Sequence, residues 1–429
     1  MGTWTRLTAP VLALGFALAA CGGGDRGAPG TTEEPTEPAP AVKPAADAKL
    51  DLGYILPETG PLAFLGPPMI QGVRLAVEDL NRAGGVLGQK VTLATGDEAG
   101  DAARVREAAA RQLNQGVDAV VGAGASGMSQ EIIQTLRDNN IVQCSPSNTS
   151  PVFSTQQNAD FYFRTVLPDD AVVAPIIANQ LVSDGAQKVV LLGRADDYGR
   201  ALSNLIAEQL RTSGADVPPP IIYDPKATTF TAEVQQATSQ RPGAAVLASF
   251  DEGVQLIKGL LESGMTPSRL YGGDGLFAPS LPEKVDPSNR NVIDGMTVFA
   301  ASGGRQFNER LNQVLPPNEQ GNFIYGGQSY DCAVLIALAA EAARSADPAV
   351  FMPRMMDVSR EGRPCSSFQE CKTLLGQGAD IDYQGVSGPV DFDEVGDPTF
   401  GRIAIAKFQN GGQLATIAER EVNLAEIKR

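Results

Sequence analysis

The sequence predicts an α/β protein folded as two doubly wound parallel-sheet lobes. Three observations carry this. Short runs rich in Val, Ile and Leu alternate with longer stretches of helical period from about residue 50 onward. These runs are apolar throughout, as strands must be when helices cover both faces of a parallel sheet. The alternation then repeats with new material beyond about residue 165, so the chain holds two such blocks.

The elements follow in order. Residues 50–56 read as a strand and 67–83 as a helix, with Ile70, Val73, Val77 and Leu80 on one face and Gly84-Gly85 as its stop. A strand at 91–95 is followed by a helix that Asp101 caps and that runs to Gln115. A strand at 119–122, a helix at 130–139 and a strand at 141–144 complete the first block. In the second block 188–192, 221–223 and 244–249 read as strands, and 169–184, 198–213, 230–241 and 252–263 as helices. Past about residue 300 come helices at 305–315 and 330–345, then strand-like segments at 389–392, 402–408 and 413–419.

Composition removes several function classes. The 429 residues suffice for two or three domains at roughly 150 residues each. Acidic residues outnumber basic ones, 50 to 34, and no basic patch interrupts the surplus, so a nucleic-acid partner is not expected. There is no histidine, which excludes a Ser-His-Asp or Cys-His nucleophile and any histidine-ligated metal. No cofactor and no metal are expected.

The first residues read as an address. Arg6 precedes an apolar run over 7–20, which is too short for the roughly 20 residues of a spanning helix and fits an export signal. Leu18-Ala19-Ala20-Cys21 resembles the lipobox of bacterial lipoproteins, which implies cleavage before Cys21 and lipid attachment to it. Residues 21–48, rich in Pro and Gly and without aromatic residues, read as a tether that cannot bury enough apolar surface to fold alone. The globular body starts near Lys49.

Two loops offer ligand chemistry. Gly122-Ala123-Gly124-Ala125-Ser126-Gly127 follows a strand and precedes a helix, as a dinucleotide loop does. The ribose-binding acid expected about twenty residues further on is missing, where the chain reads Ile141-Val142-Gln143-Cys144-Ser145. What remains is a backbone that can approach a ligand closely, N–H groups at a helix start that attract an anion, and the Ser126 hydroxyl. A plain strand-to-helix turn is the alternative. After the next strand, Ser145-Pro146-Ser147-Asn148-Thr149-Ser150-Pro151 fixes small polar residues between prolines. In a doubly wound sheet both loops lie at carboxyl ends of adjacent strands, where ligands bind.

Together these features resemble the type I periplasmic binding proteins of the branched-chain amino acid (Leu/Ile/Val) class. The resemblance rests on Gly53-Tyr54-Ile55-Leu56-Pro57-Glu58-Thr59-Gly60-Pro61, on Gln71-Gly72-Val73-Arg74-Leu75-Ala76, and on Asn81-Arg82-Ala83-Gly84-Gly85-Val86-Leu87-Gly88. Tyr198-Gly199 after a strand and Tyr330-Asp331 opening a late helix also fit. The resemblance implies two lobes joined by a three-strand hinge, 49–167 with 299–384 and 168–298 with 385–429. It implies that an amino acid binds between them and passes to a membrane ABC permease, from a monomer held extracytoplasmically by its N-terminal lipid.

The same resemblance implies the site. Ser126 matches the family's serine donor, and Ser147 and Thr149 its backbone and threonine contacts. Tyr198 and Phe250 match the aromatic residues of the second lobe, and Asp274 the ammonium-binding glutamate. Phe64 is a wall of the cleft. Asp274 is one methylene shorter than the family's glutamate, and Phe250 lacks the usual hydroxyl, so the choice of side chain stays open. The residue chemistry agrees: hydroxyl and N–H donors suit an α-carboxylate, and an acid suits an α-ammonium.

Cysteine usage agrees with export. Cys365 and Cys371 are expected to close a short disulfide in an oxidising compartment, whereas Cys144 and Cys332 read as buried inert thiols. Three other readings stay open: an amide- or urea-binding protein, a ligand sensor of the same fold, and an exported enzyme using Asp274 or Asp97 as a base. No acid partner for such a base is evident.

Overall fold

Residues 48–156 and 160–424 are described in a computed structural model of the protein. The expected signal, the lipobox with Cys21 and nearly all of the tether lie outside them.

The first sheet is built from five parallel strands: β1 (Asp51–Ile55), β2 (Thr92–Ala94), β3 (Ala119–Gly122), β4 (Val142–Ser145) and β5 (Tyr162–Arg164). Their spatial order is β2-β1-β3-β4-β5, so the order reverses at β1. The second sheet holds β6 (Val189–Arg194), β7 (Ile221–Tyr223), β8 (Ala244–Ala248), β9 (Leu270–Gly272) and β10 (Thr297–Ala301), all parallel. After β10 the chain forms β11 (Arg363–Cys365), β12 (Ile381–Gly385) and β13 (Gly388–Pro389), a small separate sheet. The chain ends in an antiparallel hairpin, β14 (Phe400–Gln409) and β15 (Gln413–Asn423), which extends the second sheet along β10.

The expected caps and faces form. Asp101 accepts from the backbone N–H groups of Ala103 and Arg104 and starts the helix Ala102–Asn114. The helix Gly66–Arg82 buries Met69, Ile70, Val73 and Leu80 and packs against the helix Gly326–Ala343. A Cβ at Gly72 would overlap the carbonyl of Gly326, so this glycine lets the two helices meet. Gly326–Ala343 is buried on every side over its first fifteen residues, so it is the core rod of the first lobe rather than an amphipathic cover.

Several elements differ from the sequence reading. The helix expected at 130–139 starts at Ser126, and the one expected at 330–345 starts at Gly326. Only Gly388–Pro389 of the strand expected near 389–392 pairs in a sheet. Strands β5, β9, β10, β11 and β12 and the helix Phe368–Gly376 were not legible. Three of those strands have only three residues, too few to show a period.

The chain crosses between lobes after β5, after β10 and after β12. Residue 299 lies within β10, so the second crossing begins at Ser302. One turn of the core rod holds all three crossings. The Thr165 hydroxyl donates to the Gln328 carbonyl (2.9 Å), and the Gln328 amide donates to the Ser302 carbonyl (3.3 Å). Asp331 accepts from Val386 N (2.9 Å), Ser387 N (2.8 Å), the Ser387 hydroxyl (2.5 Å) and the Tyr383 hydroxyl (2.8 Å). Burial pushes the Asp331 carboxyl up to about 6 against these donors.

The cysteines correct one expectation. Cys144 and Cys332 are not free thiols; they are bonded to each other across 188 residues of sequence. The disulfide ties β4 to the core rod beside Asp331. Sequence separation hides such a pair because only the packed fold brings it together. Cys365 and Cys371 are bonded as expected.

Candidate ligand site

The two loops of the first lobe are welded together. The Ser145 hydroxyl and the Asn148 amide donate to the Ala123 carbonyl (2.8 and 3.1 Å), and the Ser147 hydroxyl donates to the Gly124 carbonyl (2.8 Å). From below, the fully buried Arg164 donates to the carbonyls of Asn148 (2.9 Å) and Ser150 (2.8 Å) and pairs with Asp397 (2.5 Å). Ser147 thus spends its hydroxyl on the neighbouring loop. The buried Ser126 is the first residue of its helix, one position after the N-cap Ala125.

The glycine loop corrects a second expectation. Its N–H groups at Gly124 and Ala125 are not left for a ligand anion: Glu98 takes both, at 2.6 and 3.1 Å. Glu98 is fully buried, and its carboxyl is pushed up to about 8 by that burial despite the two donors.

The second lobe brings the expected aromatic residues and the acid together. Tyr198 stands in the first turn of the helix Asp197–Thr212, which Asp196 caps through Gly199 N. Its hydroxyl donates to Oδ1 of Asp274 at 2.5 Å. Gly273 permits this approach, since a Cβ there would overlap the Tyr198 hydroxyl. The Phe250 ring stacks on Tyr198 with centroids 5.2 Å apart. Phe64 is buried in the first lobe, with Lys284 of the second 5.9 Å from its ring centroid.

Two residues of the site were not foreseen. Tyr325, held in left-handed backbone (φ 58°) just before the core rod, donates its hydroxyl to Oδ2 of Asp274 at 2.5 Å. Asp169, at the start of the second lobe, accepts from the Thr149 hydroxyl at 2.9 Å through Oδ2. Its Oδ1 is buried and has no hydrogen-bond partner. The backbone repeats the link, with Asp169 N donating to the Thr149 carbonyl (2.8 Å). In sequence, Pro168-Asp169-Asp170 looked like an ordinary helix start. An acid twenty residues beyond a ligand-loop threonine was the available signal.

The site is electrostatically unfinished. Burial pushes the Asp169 carboxyl well above the usual range, and the charge of Asp274 adds to it. Burial likewise raises Asp274, against the donors Tyr198 and Tyr325. Burial and the Asp274 charge raise both tyrosines, so their hydroxyls stay protonated as donors. Two neighbouring buried carboxylates, one with a free oxygen, call for a cation between them. Among the described residues, no cluster of three or more acidic, cysteine or histidine side chains is placed to hold a metal ion.

The sequence profile of the family described as Periplasmic binding protein matches residues 49–413. The chain belongs to that family of periplasmic binding proteins. It is 26% identical over 236 residues to the Leu/Ile/Val-binding protein BraC3 of Rhizobium johnstonii, covering 55% of this chain and 64% of that protein. The match therefore spans just under two thirds of that relative. It is 26% identical over 371 residues to the chemotactic signal transduction system substrate-binding protein BasB of Halobacterium salinarum, covering 83% and 86% of the two chains. The leucine-binding protein LivK of Thermotoga maritima shares the fold with a TM-score of 0.72 at 22% identity, over 88% of this chain and 99% of that one. An ABC transporter solute-binding protein from R. palustris, solved in complex with 4-hydroxybenzoate, also shares it, with a TM-score of 0.69 at 16% identity over 89% of this chain and all of that one.

Proposed function

We propose that this protein is an extracytoplasmic solute-binding protein that captures an amino acid, branched-chain or similar, between its lobes. It delivers the molecule to an ABC permease and performs no chemistry on it. We take the lobes as 49–167 with 302–384 and 168–301 with 385–429, and the tether as lipid-anchored through Cys21. The observation that carries the ligand assignment is the buried, unpartnered Oδ1 of Asp169 beside Asp274. An α-ammonium supplies the missing donor and neutralises the pair. Ser126 offers its hydroxyl to the α-carboxylate, Ser147 and Thr149, whose hydroxyls bond Gly124 and Asp169, line that end of the cleft, and Phe64, Tyr198 and Phe250 enclose the side chain. An aromatic acid lacking an amine offers the acid pair no cation and brings an anion beside two buried carboxyls, which disfavours a benzoate-like ligand.

The relatives named for Leu/Ile/Val binding support the amino-acid class. The Halobacterium relative, named for a chemotactic signalling system, supports a second output for the same binding event: the closed, occupied form is presented to a receptor.

A thermal-shift panel of amino acids, amides, urea and nucleotides tests the reading, since a ligand that binds only the folded state raises the melting temperature. Leucine, valine or a related amino acid is expected to raise it, and Asp169→Asn to abolish the rise while the free protein still melts cooperatively. A rise with urea or nucleotides alone overturns the assignment.

A further inference from the structure

Behind the Phe250 wall lies a charged scaffold that the binding reading leaves unused. Arg194, the last residue of β6, is 8% exposed, and its guanidinium sits 3.6 Å from the centroid of the Phe250 ring. It is held from two sides. Its Nε donates to Asp196 (2.5 Å) and its terminal nitrogen to Oε1 of Glu252 (2.8 Å). That same Glu252 oxygen accepts the Tyr223 hydroxyl (2.9 Å) and the backbone N–H of Phe250 itself (3.2 Å). The other oxygen of Asp196 caps the turn that carries Tyr198, through Gly199 N at 2.9 Å. Gly199 leaves room for the arginine stem, since a Cβ there would overlap Arg194 Cγ. Gly275 does the same for the ring, since its Cβ would lie 2.6 Å from Phe250 Cδ1.

One arginine therefore fixes both aromatic walls: Phe250 by direct stacking and through Glu252, and Tyr198 through Asp196. A guanidinium is suited to this because it stacks flat on a ring while its N–H fork bonds acids in the ring plane direction. A ring locked this way cannot rotate to admit a larger ligand or follow a smaller one. In a rigid apolar pocket one methylene more or less is worth roughly 10- to 200-fold in selectivity. A wall free to change rotamer loses much of that. We propose that Arg194 is a positioning residue that locks Phe250 and Tyr198 and so sets which side chain the cleft admits. The inference rests on the amino-acid reading above and adds to it the source of its selectivity.

The test is calorimetric titration of alanine, valine, leucine and phenylalanine into the wild-type protein and into Arg194→Met. Because this substitution leaves Glu252 without its cation, the double variant Arg194→Met/Glu252→Gln is titrated as well. The wild type is expected to bind its best ligand at least about tenfold tighter than the next in the series. Either variant is expected to compress the series to within about threefold, mostly by gaining on the poorer ligands. Arg194→Lys, which keeps the charge without the flat stack, is expected not to restore the ratio. Equal weakening for every ligand, or unchanged ratios, overturns the proposal and leaves the amino-acid reading standing. Failure of the wild type to bind any of the four overturns that reading, and the proposal with it.

Discussion

The Tyr325 hydroxyl, from the first lobe, donates to Oδ2 of Asp274, from the second, at 2.5 Å. Tyr198 occupies the other oxygen of the same carboxylate. Asp274 is thus a junction on which one donor from each lobe converges. Hydrogen bonds to charged groups contribute about 1.5–3 kcal/mol. Tyr325→Phe is expected to weaken ligand binding about tenfold or more by calorimetry, with the melting temperature of the free protein nearly unchanged. Unaltered affinity contradicts this junction role.

The carboxyl pair makes binding pH-dependent. Both Asp169 and Asp274 are raised in the free protein, Asp169 by burial and then by its neighbour's charge. A bound ammonium favours the ionised form, so binding releases protons and affinity falls as pH drops through the raised range. Titration between pH 8 and pH 5 is expected to show steady weakening, with heats that depend on the buffer's ionisation enthalpy. Constant affinity across that range contradicts the assignment of a cation to this pair.

Glu98 governs stability in the opposite pH sense to an exposed acid. Its folded value of about 8 lies above the ordinary 4.5, so its share of stability is complete below 4.5 and is lost as pH rises through 8. Within that window one proton contributes a slope of up to about 1.4 kcal/mol per pH unit. Glu98→Gln is expected to flatten the decline of unfolding free energy between pH 5 and 8, as read by urea denaturation. An unchanged slope contradicts the buried, protonated state of Glu98.

The two disulfides differ in what they contribute. Cys144–Cys332 closes 188 residues and Cys365–Cys371 only 6. On the chain-entropy account these are worth about 5 and about 2 kcal/mol. The double variant Cys144→Ala/Cys332→Ala is expected to lower stability by clearly more than Cys365→Ala/Cys371→Ala in denaturant titrations. Equal losses contradict the chain-entropy ranking.

The sequence was most informative where local physics decides structure. Apolar strands, helical periods and the Asp101 cap gave the α/β class and the placement of the first block nearly residue by residue. Tyr198, Phe250 and Asp274, which the family resemblance singled out, meet at the ends of adjacent strands. What stayed hidden depends on contacts across the fold. Asp169 became visible only through a bond to Thr149, and Tyr325 only through one to Asp274. Glu98 took the N–H groups of the glycine loop from a segment more than twenty residues earlier. The core rod was only partly read because a helix buried on all sides carries no face pattern. Cys144 and Cys332 looked inert because pairing is a property of the packed chain and not of spacing.

Oδ1 of Asp169 is buried without a hydrogen-bond partner, and an α-ammonium is the donor proposed for it. Calorimetric comparison of leucine with 4-methylpentanoate, the same molecule without its amino group, tests it most directly. Leucine is expected to bind and 4-methylpentanoate to bind at least about 100-fold more weakly, the loss of a charge-assisted contact at a buried site. Comparable affinity for the two, or preference for the amine-free acid, contradicts the account.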